Sequence, residues 1–210
     1  MIITAIMNYD NKKIAGSLIF VGAVQAFLVG VISEAVYAGY SVGQQYMSEL
    51  GDWSKAGNSA AIWDVSVILL GLFVISGVYF LQRGFKNRLF TSLLVIYGVG
   101  CACVGVVAMN ISLPVHTLLA MVAMVSAAIA AIMSYRFMKS PLSYASVILG
   151  AVALLAIVLL MLGQGNSDFY LGLGKGGMER LIIYPVSLWL LGFGAYLVGD
   201  SSNTAATSKA

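Results

Sequence analysis

The chain has 210 residues, of which 60% are hydrophobic and 9% charged, with a mean hydropathy of +0.96. A soluble domain needs a polar surface to face water, so this composition excludes one. The net charge of +3 is too small, and the cations too scattered, to point to nucleic acid.

A membrane-spanning helix needs about 20 predominantly apolar residues. Six such stretches, at 14–38, 60–82, 89–110, 115–137, 142–163 and 181–199, occupy nearly the whole chain. They are continuously apolar, whereas lipid-facing strands of a barrel alternate apolar and polar residues. The expected fold is therefore all-α: one bundle of six transmembrane helices over 1–200, with a disordered polar tail at 201–210. The first apolar run exceeds a signal-peptide core and lacks a small-residue cleavage site, so it is read as a retained helix.

Between the first two spans, residues 39–59 place Tyr46, Leu50 and Trp53 at helical spacing, with Glu49 and Asp52 on another face. That pattern predicts a short amphipathic helix lying in the interface. Four pairs of small residues four positions apart, Ala26 with Gly30, Ala35 with Gly39, Cys101 with Gly105 and Ala127 with Ala131, predict close helix packing. The glycine-rich stretch 164–180 predicts an irregular loop before the last span, and Pro185 a kink within it.

Cations near helix ends remain on the cytoplasmic side. Lys12, Lys13, Arg83, Lys86, Arg88, Arg136, Lys139 and Lys209 all fall on one side, against Lys55, Lys175 and Arg180 on the other. Both termini are therefore expected in the cytoplasm and both long connections outside, in the cell membrane. Six of the eight carboxylates lie on the outer side.

The outer ends of the spans also gather the residues best suited to form a site: Glu34, Ser48, Glu49, Asp64, Asn110, His116, Glu179 and Arg180. Ionisable groups within a membrane are costly, which makes them site candidates. The alternative is that they stay hydrated at the interface, with His116 capping the 111–115 turn. His116 is the sole histidine, which excludes a bis-histidine haem and a three-histidine zinc site. A metal held by His116 with Glu34, Asp64 and Glu179 is conceivable but not expected, and no cofactor is expected. A serine nucleophile for His116 would have to be Ser48, Ser59 or Ser112, brought in by folding. The stretch 172–177, Gly-Leu-Gly-Lys-Gly-Gly, lacks the Lys-Ser/Thr ending of a phosphate loop. Cys101 and Cys103 point to different helix faces and read as small packing residues.

The segment Tyr46-Met-Ser-Glu-Leu-Gly-Asp52, the Gly71 of the following helix and the Pro114-Val-His116 turn resemble the DUF998 family of small six-helix membrane proteins. That family is in turn distantly similar to the Frag1/DRAM/Sfk1 group. The resemblance implies that Ser48, Glu49, Leu50, Gly51 and His116 correspond to the family's recognisable positions. The family's Gly-Phe-Pro before the fourth helix reads Ile111-Ser-Leu-Pro114 here. Being of unknown function, the family implies no activity. With membrane lipids as the expected partners and other membrane subunits next, the leading expectation is a non-enzymatic lipid-interacting component or accessory subunit. The alternative is an enzyme acting on a lipid or amphiphile at the external leaflet, with His116 and a carboxylate as acid and base.

Overall fold

A computed structural model describes the backbone of residues 2–85 and 87–207, and the side chains of 11–85 and 87–200. The chain forms α1 (Ile2–Val36), α2 (Trp53–Ala56), α3 (Ala60–Phe85), α4 (Arg88–Val106), α5 (Leu113–Met133), α6 (Leu142–Gly163) and α7 (Gly174–Thr207). No strand occurs among the described residues, and six helices are long and apolar enough to cross a membrane. This is the six-helix membrane bundle that the apolar runs predict.

Antiparallel neighbours pack in the order α7, α1, α3, α4, α5, α6, and α6 returns to α7 to close the ring. Lipid supplies no hydrophobic drive between helices, so close backbone approach and interhelical hydrogen bonds must hold them. A Cβ on Gly71 of α3 would collide with the Gly98 carbonyl of α4, and one on Gly150 of α6 with the Ala128 carbonyl of α5. Gln25 of α1 and Ser66 of α3 bond reciprocally: Gln25 Nε2 donates to the Ser66 carbonyl and Ser66 Oγ to Gln25 Oε1, both at 3.0 Å. Of the four small-residue pairs, three contribute packed positions. Gly105 meets the backbone of Asp64, Gly30 faces Met47 and Trp63, and Ala127 and Ala131 are fully buried. Gly39 does not pack: it lies beyond α1 with φ +77° and open space around it, so it serves the turn that stops the helix.

One end of the bundle is filled by rings. Phe90 packs on Phe137 at 5.0 Å and on Phe193 at 5.5 Å, and Trp189 stacks on Phe193 at 5.7 Å. Trp189 Nε1 donates to Ser134 Oγ at 2.9 Å, satisfying the buried indole. At the same end Asp200 pairs with Lys12 at 3.5 Å and Lys139 at 3.6 Å, tying α7 to α1 and to the α5–α6 connection.

The other end carries both long connections and is termed the capped end. Here the structure departs from the sequence reading. Residues 39–59 do not form one interfacial helix. A 3-10 turn, Met47–Gly51, is broken at Asp52, whose extended backbone starts α2 while its Oδ1 accepts the Ser54 N–H at 3.0 Å. Met47 and Leu50 are buried in the bundle, while Trp53 is 46% exposed. The segment is a plug seated in the bundle. The 164–180 stretch is likewise only partly irregular: it holds a 3-10 turn, Ser167–Tyr170, and α7 already begins at Gly174. Its glycines allow contact with the first connection. The Gly176 N–H donates to the Gly43 carbonyl at 3.1 Å, and a Cβ at Gly174 or Gly176 would overlap the carbonyls of Gly43 or Gln45. Pro185 lies inside α7 without ending it. Beyond residue 200, where a disordered tail is expected, the α7 backbone runs on to Thr207; 208–210 lie outside the described residues.

Candidate functional site

The polar residues at the capped end fall into distinct groups. Arg180, in the second turn of α7, is 5% exposed and fully engaged. Its Nη2 donates to Glu34 Oε1 at 2.6 Å and to Tyr40 Oη at 2.7 Å, and its Nε to Glu34 Oε1 at 3.2 Å. Its Nη1 donates to the carbonyls of Val42 at 3.0 Å and Gly176 at 2.9 Å. Tyr40 Oη passes the chain on by donating to the Tyr46 carbonyl at 3.0 Å. Burial pushes the Tyr40 phenol up to about 12, against the pull of Arg180, so it stays neutral and keeps its proton to donate. This cluster locks α1, the first connection and α7 together.

Glu179, the next residue, points elsewhere. Its Oε2 accepts the N–H groups of Met47 and Ser48, the latter at 3.2 Å, and so caps the turn of the plug. Asp64 accepts from Trp53 Nε1 at 2.8 Å, and Asn110 Oδ1 accepts the Trp53 backbone N–H at 3.2 Å. Glu179, Asp64 and Asn110 therefore all position the plug.

Glu49 is almost fully buried, yet two partly exposed lysines reach it. Lys55 Nζ lies 2.9 Å from Oε2, and Lys175 Nζ lies 3.4 Å from Oε1. Burial alone would raise its pKa. The hydrogen bonds from Lys55 and the Tyr46 N–H, with the charges of Lys55 and Lys175, outweigh that and hold the carboxyl below its ordinary 4.5.

His116 sits in the first turn of α5, after the Ser112 carbonyl has accepted its backbone N–H at 2.9 Å. The ring is 4% exposed. Its Nδ1 lies 2.7 Å from the carbonyl of Val107, just past the end of α4. A carbonyl only accepts, so Nδ1 carries the proton and the imidazole caps α4. Its Nε2 is buried and has no hydrogen-bond partner. No serine is therefore bonded to the imidazole as a nucleophile would be.

Some of these groups border a cavity of about 590 Å³ that runs from the plug into the bundle. Such a volume is within the range of about 300–1,000 Å³ typical of small-molecule sites. Its inner wall is mostly apolar, built from residues such as Trp63, Val67, Leu70, Ala123, Met124 and Ile183, with Tyr97, Tyr184 and Ser187 among them. Polar groups gather towards the plug: Ser48, Glu49, Lys55, His116, Gln164, Lys175 and Glu179. Leu113 on α5 and Met161 on α6 also line it, and they are 52% and 62% exposed on the outer surface of the bundle. The cavity therefore has an exposed apolar edge between the start of α5 and the end of α6.

Of the eight candidate residues, Ser48, Glu49, His116 and Glu179 line this cavity, whereas Glu34, Asp64, Asn110 and Arg180 do not. Lys55, Lys175, Gln164 and the apolar wall were not among the sequence candidates. The two lysines read only as minority outer-side cations, and nothing in a linear sequence marks a wall made by several helices. Among the described residues no three His, Cys, Asp or Glu side chains are grouped to hold a metal. The carboxylates of a conceivable His116 site are engaged instead with Arg180, with Trp53 and with the plug N–H groups.

The fold and this site define a six-helix membrane protein with an apolar, polar-mouthed cavity inside the bundle. A model of the family described as a protein of unknown function (DUF998) matches residues 20–196, so the chain belongs to that family. No curated protein and no solved structure matches it.

Proposed function

We propose that this protein is a non-enzymatic lipid-interacting component of the cell membrane. In this reading it takes an amphiphile into the cavity, with the apolar chain among the helices and the polar head under the plug. The observation that carries the reading is the cavity itself: apolar within, polar at one end and edged by exposed Leu113 and Met161. A water-soluble ligand would waste the apolar wall, and an entirely apolar one would leave the buried His116 Nε2 without a partner.

The distribution of cations supports an orientation with the capped end outside and both termini in the cytoplasm. The head would then lie at the level of the external leaflet. The test is native mass spectrometry of protein purified in mild detergent from its membrane. A lipid retained at about one per chain is the expected result. Protein that releases every lipid as readily as a bundle whose cavity has been filled would overturn the proposal.

A further inference from the structure

The unpartnered nitrogen of His116 restricts what the cavity can hold. The Val107 carbonyl fixes the proton on Nδ1 at 2.7 Å, so in the neutral ring Nε2 presents a bare lone pair. That atom is buried, bonds to no protein group, and belongs to a residue that lines the cavity. A buried acceptor left unpaired is destabilising, and the group that satisfies it must donate. Four donors of residues that line the cavity are already committed: Lys55 and Lys175 to Glu49, and the Met47 and Ser48 N–H groups to Glu179. An ester or ether oxygen can only accept, and would set one lone pair against another. An ammonium donates, but it would have to shed its water beside Trp63, Met121 and Met124, which also line the cavity. An uncharged hydroxyl donates at the least desolvation cost.

We infer that His116 Nε2 is the hydrogen-bond acceptor for a hydroxyl on the bound amphiphile, so that the cavity selects lipids with an uncharged, hydroxyl-bearing head such as a glycerol. This rests on the amphiphile-binding reading above and goes further by naming the head and the atom that reads it. Ser48 and Gln164, which also line the cavity, offer further partners to a head with more than one hydroxyl.

The experiment uses the full chain in mild detergent and two probes with the same chain, hexadecylglycerol ether and its dimethyl ether, in which both hydroxyls become methoxy groups. Binding is read by native mass spectrometry, with hexadecylammonium as a third probe. The wild type should hold the diol on the order of tenfold more tightly than the dimethyl ether, about one hydrogen bond. His116→Leu should remove that preference by weakening the diol alone, and its unchanged hold on the dimethyl ether shows that the variant is folded. Equal binding of diol and dimethyl ether by the wild type overturns the inference, as does a preference that survives in His116→Leu or tighter binding of the ammonium. If His116→Leu does not fold, the wild-type pair decides alone. Binding of none of the probes removes the amphiphile reading itself, whereas equal binding of both ethers leaves that reading standing and removes only the role of His116.

Discussion

Arg180 grips a single oxygen of Glu34 with two nitrogens, Nη2 at 2.6 Å and Nε at 3.2 Å. The arginine side chain is 6% exposed and the carboxylate 19%, so the pair is largely out of water. Removing one partner of such a pair leaves an uncompensated buried charge, at a cost of about 3–5 kcal/mol. Three neutral acceptors, Tyr40 and the carbonyls of Val42 and Gly176, soften that loss without cancelling the charge. Glu34→Ala should therefore lower the thermal midpoint in detergent markedly, by a free energy towards the lower end of that range. Glu34→Gln, which keeps an acceptor oxygen, should lie between it and the wild type. Equal midpoints for all three would show that the pair adds nothing.

Glu179 holds the plug from the other side. Because its carboxylate accepts two backbone N–H groups, Glu179→Ala strands both Met47 and Ser48. Each lost partner costs about 1–3 kcal/mol where the donor stays buried. Opening of the plug is the cheaper escape, since it returns both donors to water. Hydrogen exchange in a peptide covering 46–52 should accelerate in Glu179→Ala while exchange in α4 and α6 stays unchanged. A uniform acceleration would mean that the residue supports the whole bundle and not the plug.

The Glu49 pairs carry a defined pH dependence. With the folded-state pKa held below the ordinary 4.5, the unfolded chain takes up the proton first as pH falls. The contribution of Glu49 is thus fully present above about pH 4.5 and is lost as pH falls through the folded value. Lys55 and Lys175 are 44% and 40% exposed, so salt screens part of it. The thermal midpoint of the wild type should exceed that of Glu49→Gln at neutral pH and low salt. The gap should close as the pH drops below 4.5. A gap that widens in acid would reverse the sign and refute the assignment.

The six spans were legible because a bilayer demands long continuous apolar runs, and no tertiary contact is needed to recognise them. Residues 172–177 were not legible in the same way. Glycine's poor helix propensity argues for a loop, and only the carbonyls of Gly43 and Gln45, far away in sequence, explain why glycine is required where α7 starts. Tyr46, Leu50 and Trp53 show the converse failure. Their spacing suits a helix, but Asp52 ends the first turn, and Leu50 turns inward while Trp53 faces out. Polar residues near span ends were found readily, since charge is rare in this sequence. Their division into plug fasteners and cavity walls was not, because Glu179 and Arg180 are adjacent in sequence and serve different groups.

The cavity reading makes one demand that bears on volume alone. Ala120 of α5 lines the cavity one turn beyond His116 and is partly buried. Ala120→Phe adds a ring that the empty space can take without displacing packed neighbours, so overpacking strain of about 1–3 kcal/mol should be largely avoided. The filled bundle should keep or raise its thermal midpoint after delipidation while losing retained lipid. A variant that melts earlier and retains as much lipid as the wild type would place the bound lipid on the outer surface of the bundle, where Leu118 and Ile148 are 64% and 62% exposed. The two measurements must therefore be made on the same preparation, since lipid binding itself raises the midpoint by mass action and would otherwise mask the loss of the site.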